Sequence, residues 1–314
     1  MPERITPRKE GEIMEQKITD EQQWLEERKK YVTSTEVGVL FGVSEYESAY
    51  SLWHRKRGFF EKHVEETERM RFGKALEPVV AQEFQRRMGL PVAPDNIFRS
   101  HDETPLGASY DFECGEKSKK SLEVKCVDSF AFRDKFISEK KTILEFPPGM
   151  ELQFQAQMFL RAEPSMYVAT LVGGNTLYIT EKAADLQIQA EILRQVQAFW
   201  ASTEPPAIDP EKDAEAVALI YKRLDGEVRE GTPVIEQMVR DYHRYKETEK
   251  AAFKAKKKVR TLLMKEIGHA GKVVGKGYSI SRFPVAEALT SYKRSAYTGM
   301  RITVEDQNDE KPNQ

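Results

Sequence analysis

The sequence predicts an α/β fold with helices packed on a sheet, followed by a smaller module of one long helix and a hairpin. Three features of the chain predict it. An amphipathic helix precedes several strand-like stretches, two further helices alternate with another pair of strands, and the chain changes character after Pro205-Pro206. This order of elements is typical of an α/β sandwich.

The composition agrees with a globular protein. Of the 314 residues, 39% are hydrophobic and 10% are aromatic, which is enough to build a core. No stretch of about 18 apolar residues occurs and the N-terminus has no apolar segment, so we expect neither a membrane span nor a secretory signal. Cys114 and Cys126 have no metal-ligand spacing and fit a reducing compartment. We therefore expect a cytoplasmic protein with no membrane partner.

The charge of the whole chain does not indicate a nucleic-acid-binding protein. Its net charge is −2, and a nucleic-acid footprint would have to be a local basic surface. Local basic clusters do occur, among them KAKKKVR at residues 254–260. Taken alone, such a cluster is more often a solvated helix face than a DNA contact.

The N-terminal part predicts loose chain followed by short helices. Residues 1–19 are polar and are expected to be flexible. The segment EQQWLEERKKY predicts a first helix, and VTSTEVGVLFG predicts a Ser/Thr turn and a short apolar helix that ends at Gly42. A further helix is expected to begin near Ser44.

The next helix, MRFGKALEPVVAQEFQRRMG, is amphipathic and stops at a glycine. Its buried face is predicted to carry Leu76, Val79, Val80 and Phe84. Glu77 lies beside this apolar stripe.

The strands follow this helix. NIFRSHDET, PLGASYDFEC and KSLEVKCVD predict an antiparallel run, and the helix GMELQFQAQMFLRA begins after Pro147-Pro148. MYVATLVGGNTLYIT predicts a hairpin that turns at Gly173-Gly174, and KAADLQIQAEILRQVQAFWAS predicts the closing helix. Together these elements define a first domain over residues 20–205.

A second module is predicted over residues 206–304. It contains one long, highly charged helix, PVIEQMVRDYHRYKETEKAAFKAKKKVRTLLMKEIG, and a hairpin, GKVVGKGYSISRF. Residues 305–314, EDQNDEKPNQ, are predicted to be a disordered tail.

One short hairpin, GASYDFECGEKSKKSLEVKC, carries three charges toward its middle. Successive side chains of a strand point to opposite faces, so Glu123 and Lys125 share one face while Val124 points into a core. If the stretches on either side of the GEKSKK turn pair, Asp111 falls on the same face as Glu123. A solvated hairpin face with a cross-strand ion pair is the commoner explanation for any single charged hairpin.

Four motifs in order over the first part of the chain separate these explanations. They are WLEERKKYVTSTEVGVLFGVS, FGKALEPVV, SLEVKC and QFQAQMF. They resemble the W…R…(I/V)T(A/S)SE(V/I), G…E, LE(I/V)KC and QxQ motifs of the YqaJ-like viral recombinase family, which includes the lambda exonuclease and belongs to the PD-(D/E)xK nucleases. One departure is that the family usually has Pro-Asp-Gly where this chain has Tyr110-Asp111-Phe112.

The resemblance implies a PD-(D/E)xK restriction-endonuclease-like core, a central mixed sheet flanked by helices, with a metal site. Asp111, Glu123 and the main-chain carbonyl of Val124 are expected to hold Mg²⁺, with Mn²⁺ as a substitute. A hard cation and a few carboxylate oxygens suit phosphodiester cleavage, because the metal offsets developing charge and activates water. Lys125 is expected to hold the attacking water, and Glu77 to orient a metal-bound water.

The helix that follows supplies a further candidate, Gln155. Within the family it can hydrogen-bond the nucleophile or the substrate. A solvent-facing helix glutamine is an equally good interpretation.

A second constellation consists of Arg28, Thr33, Ser34 and Thr35. A guanidinium with hydroxyls and free amides at a helix start forms a pocket for a terminal phosphate, which would select 5′-phosphorylated ends. The alternative is a simple helix cap, with Ser34 or Thr35 opening the helix and Arg28 in a surface ion pair.

By resemblance, the protein is expected to be an Mg²⁺-dependent 5′→3′ exonuclease acting on double-stranded DNA ends. The 3′ overhangs would pass to a single-strand annealing protein in phage-type recombination, and the enzyme would form a homo-oligomer, a trimeric ring, in a bacterial or phage-infected host cytosol. One alternative is a non-catalytic DNA-binding or scaffold protein on a decayed nuclease fold, although such folds commonly lose a metal ligand. Another is a structure-specific endonuclease on the same core, which end-dependence would distinguish.

Overall fold

The computed structural model describes residues 13–17, 26–61, 65–223 and 225–282. Within it the chain forms two compact units, Met1–Ile220 and Tyr221–Gln314. The start of the predicted first helix, most of residues 1–19 and the predicted tail at 305–314 lie outside the described residues. Residues 26–29 are helical.

The larger unit contains both strands and helices. Along the chain its strands are β1 (Ile13–Lys17), β2 (Val32–Thr33), β3 (Val92–Pro94), β4 (Ile97–His101), β5 (Leu106–Ala108), β6 (Phe112–Cys114), β7 (Lys120–Val127), β8 (Ile137–Glu139), β9 (Thr142–Glu145), β10 (Ser165–Val172) and β11 (Thr176–Ala183). Its helices are α1 (Val37–Leu40), α2 (Ala49–Lys56), α3 (Glu68–Met88), α4 (Ser129–Lys135), α5 (Pro148–Arg161), α6 (Leu186–Ala201) and α7 (Ala214–Ile220).

A five-stranded mixed sheet, in the order β11-β10-β7-β6-β3, forms the centre of this unit. β7 and β10 run parallel, whereas β10 and β11, β6 and β7, and β3 and β6 are antiparallel pairs. Because parallel neighbours need a crossover connection, the chain returns from β7 to β10 through α5. The predicted α/β class with a mixed sheet is confirmed.

Helices cover both faces of the central sheet. On one face, α3 and the strands form an apolar cluster that includes Val80, Phe84, Leu122, Val124 and Ala169. On the other face, α5 and β10 form a second cluster that includes Phe154, Met158, Met166 and Val168. Neighbouring residues of β10 enter different clusters, as the alternation of a strand requires.

Helix α3 presents a different face from the one predicted. Val79 is 57% exposed, so its predicted burial is wrong. The buried residues are Val80, Ala81 and Phe84. Glu77 lies three, four and seven residues before them, on the same helical face, and therefore points toward the sheet.

The stretch PLGASYDFEC does not form the single strand that was predicted. Its first part is β5, which belongs to a second sheet of order β1-β4-β5-β2, and its last part is β6 of the central sheet. The chain passes from one sheet to the other through Tyr110, which is buried and whose hydroxyl donates to the carbonyl of Gln157 at 2.9 Å. Asp111 therefore lies in the connection between two sheets.

Several boundaries also differ from the predictions. Residues 13–17, expected to be loose, form β1 and pair with β4. The helix expected near Ser44 begins at Ala49, because the Ser48 hydroxyl accepts from the backbone N–H of Ser51 and caps it. Residues 206–220, expected in the second module, belong to the larger unit, where Ser48 also donates to the buried Asp213 at 2.5 Å.

The smaller unit contains α8 (Pro233–Ile267) and a hairpin of β12 (Lys272–Gly275) and β13 (Tyr278–Ser281). The predicted long helix and hairpin are both present. The hydroxyl of Thr232 caps the start of α8, and none of the helix residues is buried. None of the described helices has the length and apolarity to span a membrane.

Candidate active site

Three of the predicted site residues meet where β6 begins beside β7. The last pair of the antiparallel ladder is Phe112 opposite Leu122, which sets Asp111 next to the Glu123-Val124 segment. The carboxylate of Asp111 accepts from the backbone N–H of Val124 at 2.8 Å. Lys125 Nζ donates to Glu123 Oε1 at 2.7 Å, and Val124 is buried in the core. The predicted shared face of Glu123 and Lys125 is present.

The Glu123 carboxylate is held on both oxygens by helix α5. Gln153 Nε2 donates to Glu123 Oε1 at 2.7 Å, and Gln157 Nε2 donates to Oε2 at 2.8 Å. Gln153 Oε1 also accepts from Lys125 Nζ at 3.2 Å. The two glutamines are four residues apart and so lie on one helical face. The QFQAQMF motif shows that Gln153 and Gln157 share a face, but it does not show that this face meets Glu123.

Gln155, predicted to reach the nucleophile or substrate, lies elsewhere. Its Nε2 donates to the carbonyl of Ala183 at 3.0 Å, and its Oε1 accepts from the backbone N–H of Asp185 at 2.8 Å. A step of two residues turns a helix by about 200°, so Gln155 faces away from the side of α5 that carries its two neighbours. The prediction that Gln155 reaches the nucleophile or the substrate is therefore wrong. Gln155 instead links the end of β11 to the start of α6.

The electrostatics of the cluster are dominated by carboxylates. Burial, reinforced by the charge of Glu123, raises the pKa of Asp111 to about 8. Burial and Glu123 also raise the pKa of Glu77. Burial alone would lower the pKa of Lys125, but Glu123 and Asp111 outweigh it and the pKa is raised. Lys125 therefore keeps its positive charge. This single charge only partly offsets the three neighbouring acids, Asp111, Glu123 and Glu77.

These residues fit a divalent cation. The N–H and C=O of one strand residue point to the same strand edge. Because the Val124 N–H reaches Asp111, the Val124 carbonyl is directed to that edge as well. Two carboxylates and one main-chain carbonyl suit Mg²⁺, which binds one or two carboxylates and keeps several waters. Among the described residues, no group of three or more His, Cys, Asp or Glu side chains could hold a metal by itself.

The second predicted constellation is organised around Glu36, which was not among the residues predicted from the sequence. Glu36 Oε2 accepts from the backbone N–H of Thr33 at 2.8 Å and pairs with Lys56 Nζ at 2.7 Å. Its other oxygen accepts from Arg55 at 2.8 Å. Although burial opposes it, the charges of Lys56 and Arg55 lower the pKa of Glu36 to about 2. We call these side chains, with Arg28, the Glu36 cluster.

Of the predicted phosphate-binding residues, Arg28 belongs to this cluster and Thr33 contacts it through its backbone N–H. Burial lowers the pKa of Arg28, with opposing effects from Glu36 and Arg55, so Arg28 lies beside them. The hydroxyls of Thr33 and Thr35 are 3.1 Å apart, and Ser34 is buried. The alternative prediction, a helix cap by Ser34 or Thr35, is wrong. The N-cap residue of α1 is Glu36, and no described side chain caps the helix.

The turn at Thr33 to Thr35 lies near the acidic cluster, as we call the group of Glu77, Asp111, Glu123 and Lys125. The Ser34 N–H donates to the carbonyl of Gly107 at 2.8 Å, and β2 runs parallel to β5. Gly107 precedes Asp111 by four residues, so their Cα atoms are at most about 14 Å apart. The Glu36 cluster and the acidic cluster therefore occupy neighbouring positions on the larger unit.

A mixed sheet with helices on both faces and an Asp…Glu-Val-Lys centre define a PD-(D/E)xK-like α/β protein. Residues 23–162 match the family model described as the YqaJ-like viral recombinase domain. This match confirms the resemblance noted from the four motifs for that part of the chain.

Individual proteins show more distant similarity. The chain is 26% identical over 201 residues to the uncharacterized protein YqaJ of Bacillus subtilis (strain 168), a match that covers 62% of this chain and 60% of that relative. It is similar to the crystal structure of an alkaline exonuclease, LHK-Exo, from Laribacter hongkongensis, with 20% identity and a TM-score of 0.45 over 63% of this chain and 95% of that one. A SOX–DNA complex is similar at 11% identity and a TM-score of 0.35, over 57% and 66% of the two chains.

Proposed function

We propose that the protein is a metal-dependent deoxyribonuclease that degrades double-stranded DNA from its ends in the 5′→3′ direction. The observation that carries this proposal is the meeting of Asp111, Glu123 and Lys125 where β6 begins beside β7, with Glu77 directed toward them from α3. The YqaJ-like viral recombinase domain supports it.

The chain's own residues divide the work of phosphodiester hydrolysis. Asp111, Glu123 and the Val124 carbonyl would hold Mg²⁺, or Mn²⁺ in its place, and the ion supplies charge neutralisation and water activation. Lys125, kept charged by Glu123, holds the attacking water and offsets phosphate charge. Glu77 orients a water from the opposite side of the site.

The two glutamines of α5 preorganise this site. Gln153 and Gln157 occupy both oxygens of Glu123, so the carboxylate has a fixed orientation before substrate arrives. Such support matters because a ligand that rotates freely must be ordered at the moment of reaction.

The direction and the assembly are part of the proposal. A phosphate pocket at Arg28, Thr33, Ser34 and Thr35 would anchor a 5′-phosphorylated end near Asp111, which favours 5′→3′ degradation and leaves a 3′ overhang. A single-strand annealing protein would receive this overhang in phage-type recombination. We propose a closed homo-oligomer, a trimeric ring, because enclosure retains DNA on a chain of net charge −2.

A time course with linear and nicked circular DNA tests the proposal. Linear duplexes labelled at either end, with and without 5′-phosphate, are incubated with Mg²⁺ or with EDTA. We expect the 5′ label to be released before the 3′ label, and only in the presence of Mg²⁺. Nicked circles should not be cut. Cutting of circles would identify a structure-specific endonuclease, and binding without cleavage would identify a scaffold on a decayed fold.

The oligomer is tested separately by sedimentation. We expect a single species larger than the monomer at micromolar concentration. A monomer that still digests long DNA without dissociating would contradict the closed ring.

A further inference from the structure

The smaller unit contains a dense basic segment whose role the proposed active site does not explain. Residues 250–282, from the second half of α8 through the hairpin, contain ten lysine and arginine residues and one acid, Glu266. Since the whole chain has a net charge of −2, this basic segment of +9 leaves −11 on the rest of the chain. The average charge therefore conceals a strong separation of charge along the chain.

The two halves of α8 use their charges differently. In the first half, Arg240 pairs with Glu236 at 3.9 Å and Arg244 pairs with Asp241 at 3.0 Å. In the second half, Lys250 pairs with Glu247 at 3.8 Å. From Lys254 to the end of the hairpin, no lysine or arginine forms an ion pair with a residue that the structure describes. These cations are available to an anionic partner.

Helical geometry arranges five of the lysines in a stripe. At 100° per residue they fall within an arc of about 100°, at positions i, i+4, i+7, i+8 and i+15. They are Lys250, Lys254, Lys257, Lys258 and Lys265. The opposite side of the helix carries four apolar residues, Ala252, Val259, Leu263 and Ile267, together with the charged Lys256 and Glu266.

We propose that this lysine stripe binds the sugar–phosphate backbone of duplex DNA without reading its sequence. The proposal rests on the proposed function, which brings the chain to DNA. The stripe is about 22 Å long between Lys250 and Lys265, at a rise of about 1.5 Å per residue. That length corresponds to about six base-pair steps of duplex DNA, whose phosphates supply a regular row of negative charge.

The charge pattern favours DNA over two other partners. A second copy of the chain would pair with α8 as a coiled coil, which needs an apolar residue at every seventh position. In the heptad that starts at Ile235, however, Glu249 and Lys256 occupy this position. A membrane surface would favour an unbroken face of large apolar residues opposite the lysines, whereas Lys256 and Glu266 lie among the apolar residues there.

The test compares two triple variants of the full chain in EDTA. The first, Lys254→Gln/Lys257→Gln/Lys258→Gln, removes three unpaired charges. The matched control, Arg240→Gln/Arg244→Gln/Lys246→Gln, removes three charges from the first half of the same helix. Glutamine, lysine and arginine have similar helix propensities, and circular dichroism checks that α8 is retained. Binding to a short blunt duplex of mixed sequence is measured by anisotropy at several salt concentrations.

We expect the lysine variant to weaken binding about 10- to 100-fold and to lower the log–log salt slope by about 2 to 3, since each phosphate contact contributes about 0.9. The control should change neither by more than about twofold. The same weakening on a second, unrelated sequence supports backbone recognition. A lysine variant with the affinity and slope of wild type, or equal weakening by both variants, would overturn the proposal.

Two further measurements separate this inference from its alternatives. If the lysine variant loses binding to phosphatidylserine vesicles but keeps DNA binding, the partner is a membrane and the proposal fails. If wild type binds DNA through the stripe but does not cleave in Mg²⁺, the proposed function fails while the inference stands. If wild type cleaves and the lysine variant binds as wild type does, the inference fails while the function stands.

Discussion

Two charged constellations on the larger unit have opposite electrostatic balance. In the acidic cluster, the pKa of Asp111 is raised to about 8 by burial and by Glu123. In the Glu36 cluster, Lys56 and Arg55 outweigh burial and lower the pKa of Glu36 to about 2. Both contain buried carboxylates, so burial alone does not set the outcome.

The difference lies in the cations within reach. Glu36 contacts two cationic side chains and a backbone N–H, and its charge is satisfied inside the protein. Asp111 accepts one backbone N–H and shares a single lysine with Glu123 and Glu77. A carboxylate with its own cations is structural, whereas carboxylates with too few cations are suited to a ligand that brings positive charge.

The largest expected effect is on the acidic cluster. Asp111→Ala or Glu123→Ala should lower DNA cleavage by about 100-fold or more, because each removes a proposed metal ligand, and such a ligand is worth several kcal/mol to the transition state. Lys125→Ala should be nearly as severe, and DNA binding in EDTA should persist in all three. Glu116→Ala, an exposed acid in the same hairpin turn, is the control. Activity of Asp111→Ala within tenfold of wild type would show that the cluster is not the catalytic centre.

The second prediction concerns stability and pH at the Glu36 cluster. Because the folded pKa of Glu36 is depressed, its contribution is present above its unfolded value near 4.5 and is lost as the pH falls toward about 2. The contribution should be on the order of 2 to 3 kcal/mol. Urea unfolding of wild type and Glu36→Gln between pH 7 and pH 2.5 measures it.

The difference between the two proteins should shrink on acidification, since protonated Glu36 resembles glutamine. A difference that stays constant through this pH range would mean that the cluster stabilises the fold by packing and not by charge.

The third prediction tests whether the Glu36 cluster also serves DNA. If Arg28 contacts a 5′-phosphate, Arg28→Ala should lose about 1.5 to 3 kcal/mol, or about 10- to 150-fold, of the preference for phosphorylated over hydroxyl ends. A surface ion pair would contribute only about 0 to 1 kcal/mol and would not depend on the DNA terminus. Lys30→Ala, an exposed neighbour that pairs with Glu27, is the control. A mutant that keeps the full preference would assign Arg28 to structure alone.

The smallest expected effect distinguishes neighbouring glutamines of α5. Gln153→Ala should lower cleavage about tenfold, because it removes a hydrogen bond to the charged Glu123, worth about 1.5 kcal/mol. Gln155→Ala should lower the free energy of unfolding by about 1 kcal/mol and leave kcat nearly unchanged, since its contacts are with Ala183 and Asp185. Steady-state kinetics and urea unfolding of both variants check this, and equal loss of kcat in the two would refute the assignment.

Local patterns were enough to predict most elements of the fold. The helical period marked α3, α5, α6 and α8, and the paired glycines marked the turn between β10 and β11. Strand alternation alone placed Glu123 and Lys125 on one face with Val124 in the core. These predictions succeeded because they depend on residues within a few positions of each other.

Other features depended on contacts that no local pattern contains. The division of PLGASYDFEC between two sheets follows from the burial of Tyr110 and its bond to Gln157, forty-seven residues away. The choice of Gln153 and Gln157 over Gln155 required the position of α5 relative to β7. The same is true of Glu36, whose cations come from α2.

The sequence by itself therefore determined the α/β class, the order of the principal elements, the YqaJ-like motifs and the acids and lysine of the candidate site. Tertiary structure alone decided which groups orient Glu123, which carboxylates lack sufficient cations, and that the lysines of α8 from Lys254 onward form no ion pair with a described residue. The physical reason is range: side-chain direction follows from the local backbone, whereas burial and charge balance are sums over neighbours that folding brings from distant parts of the chain.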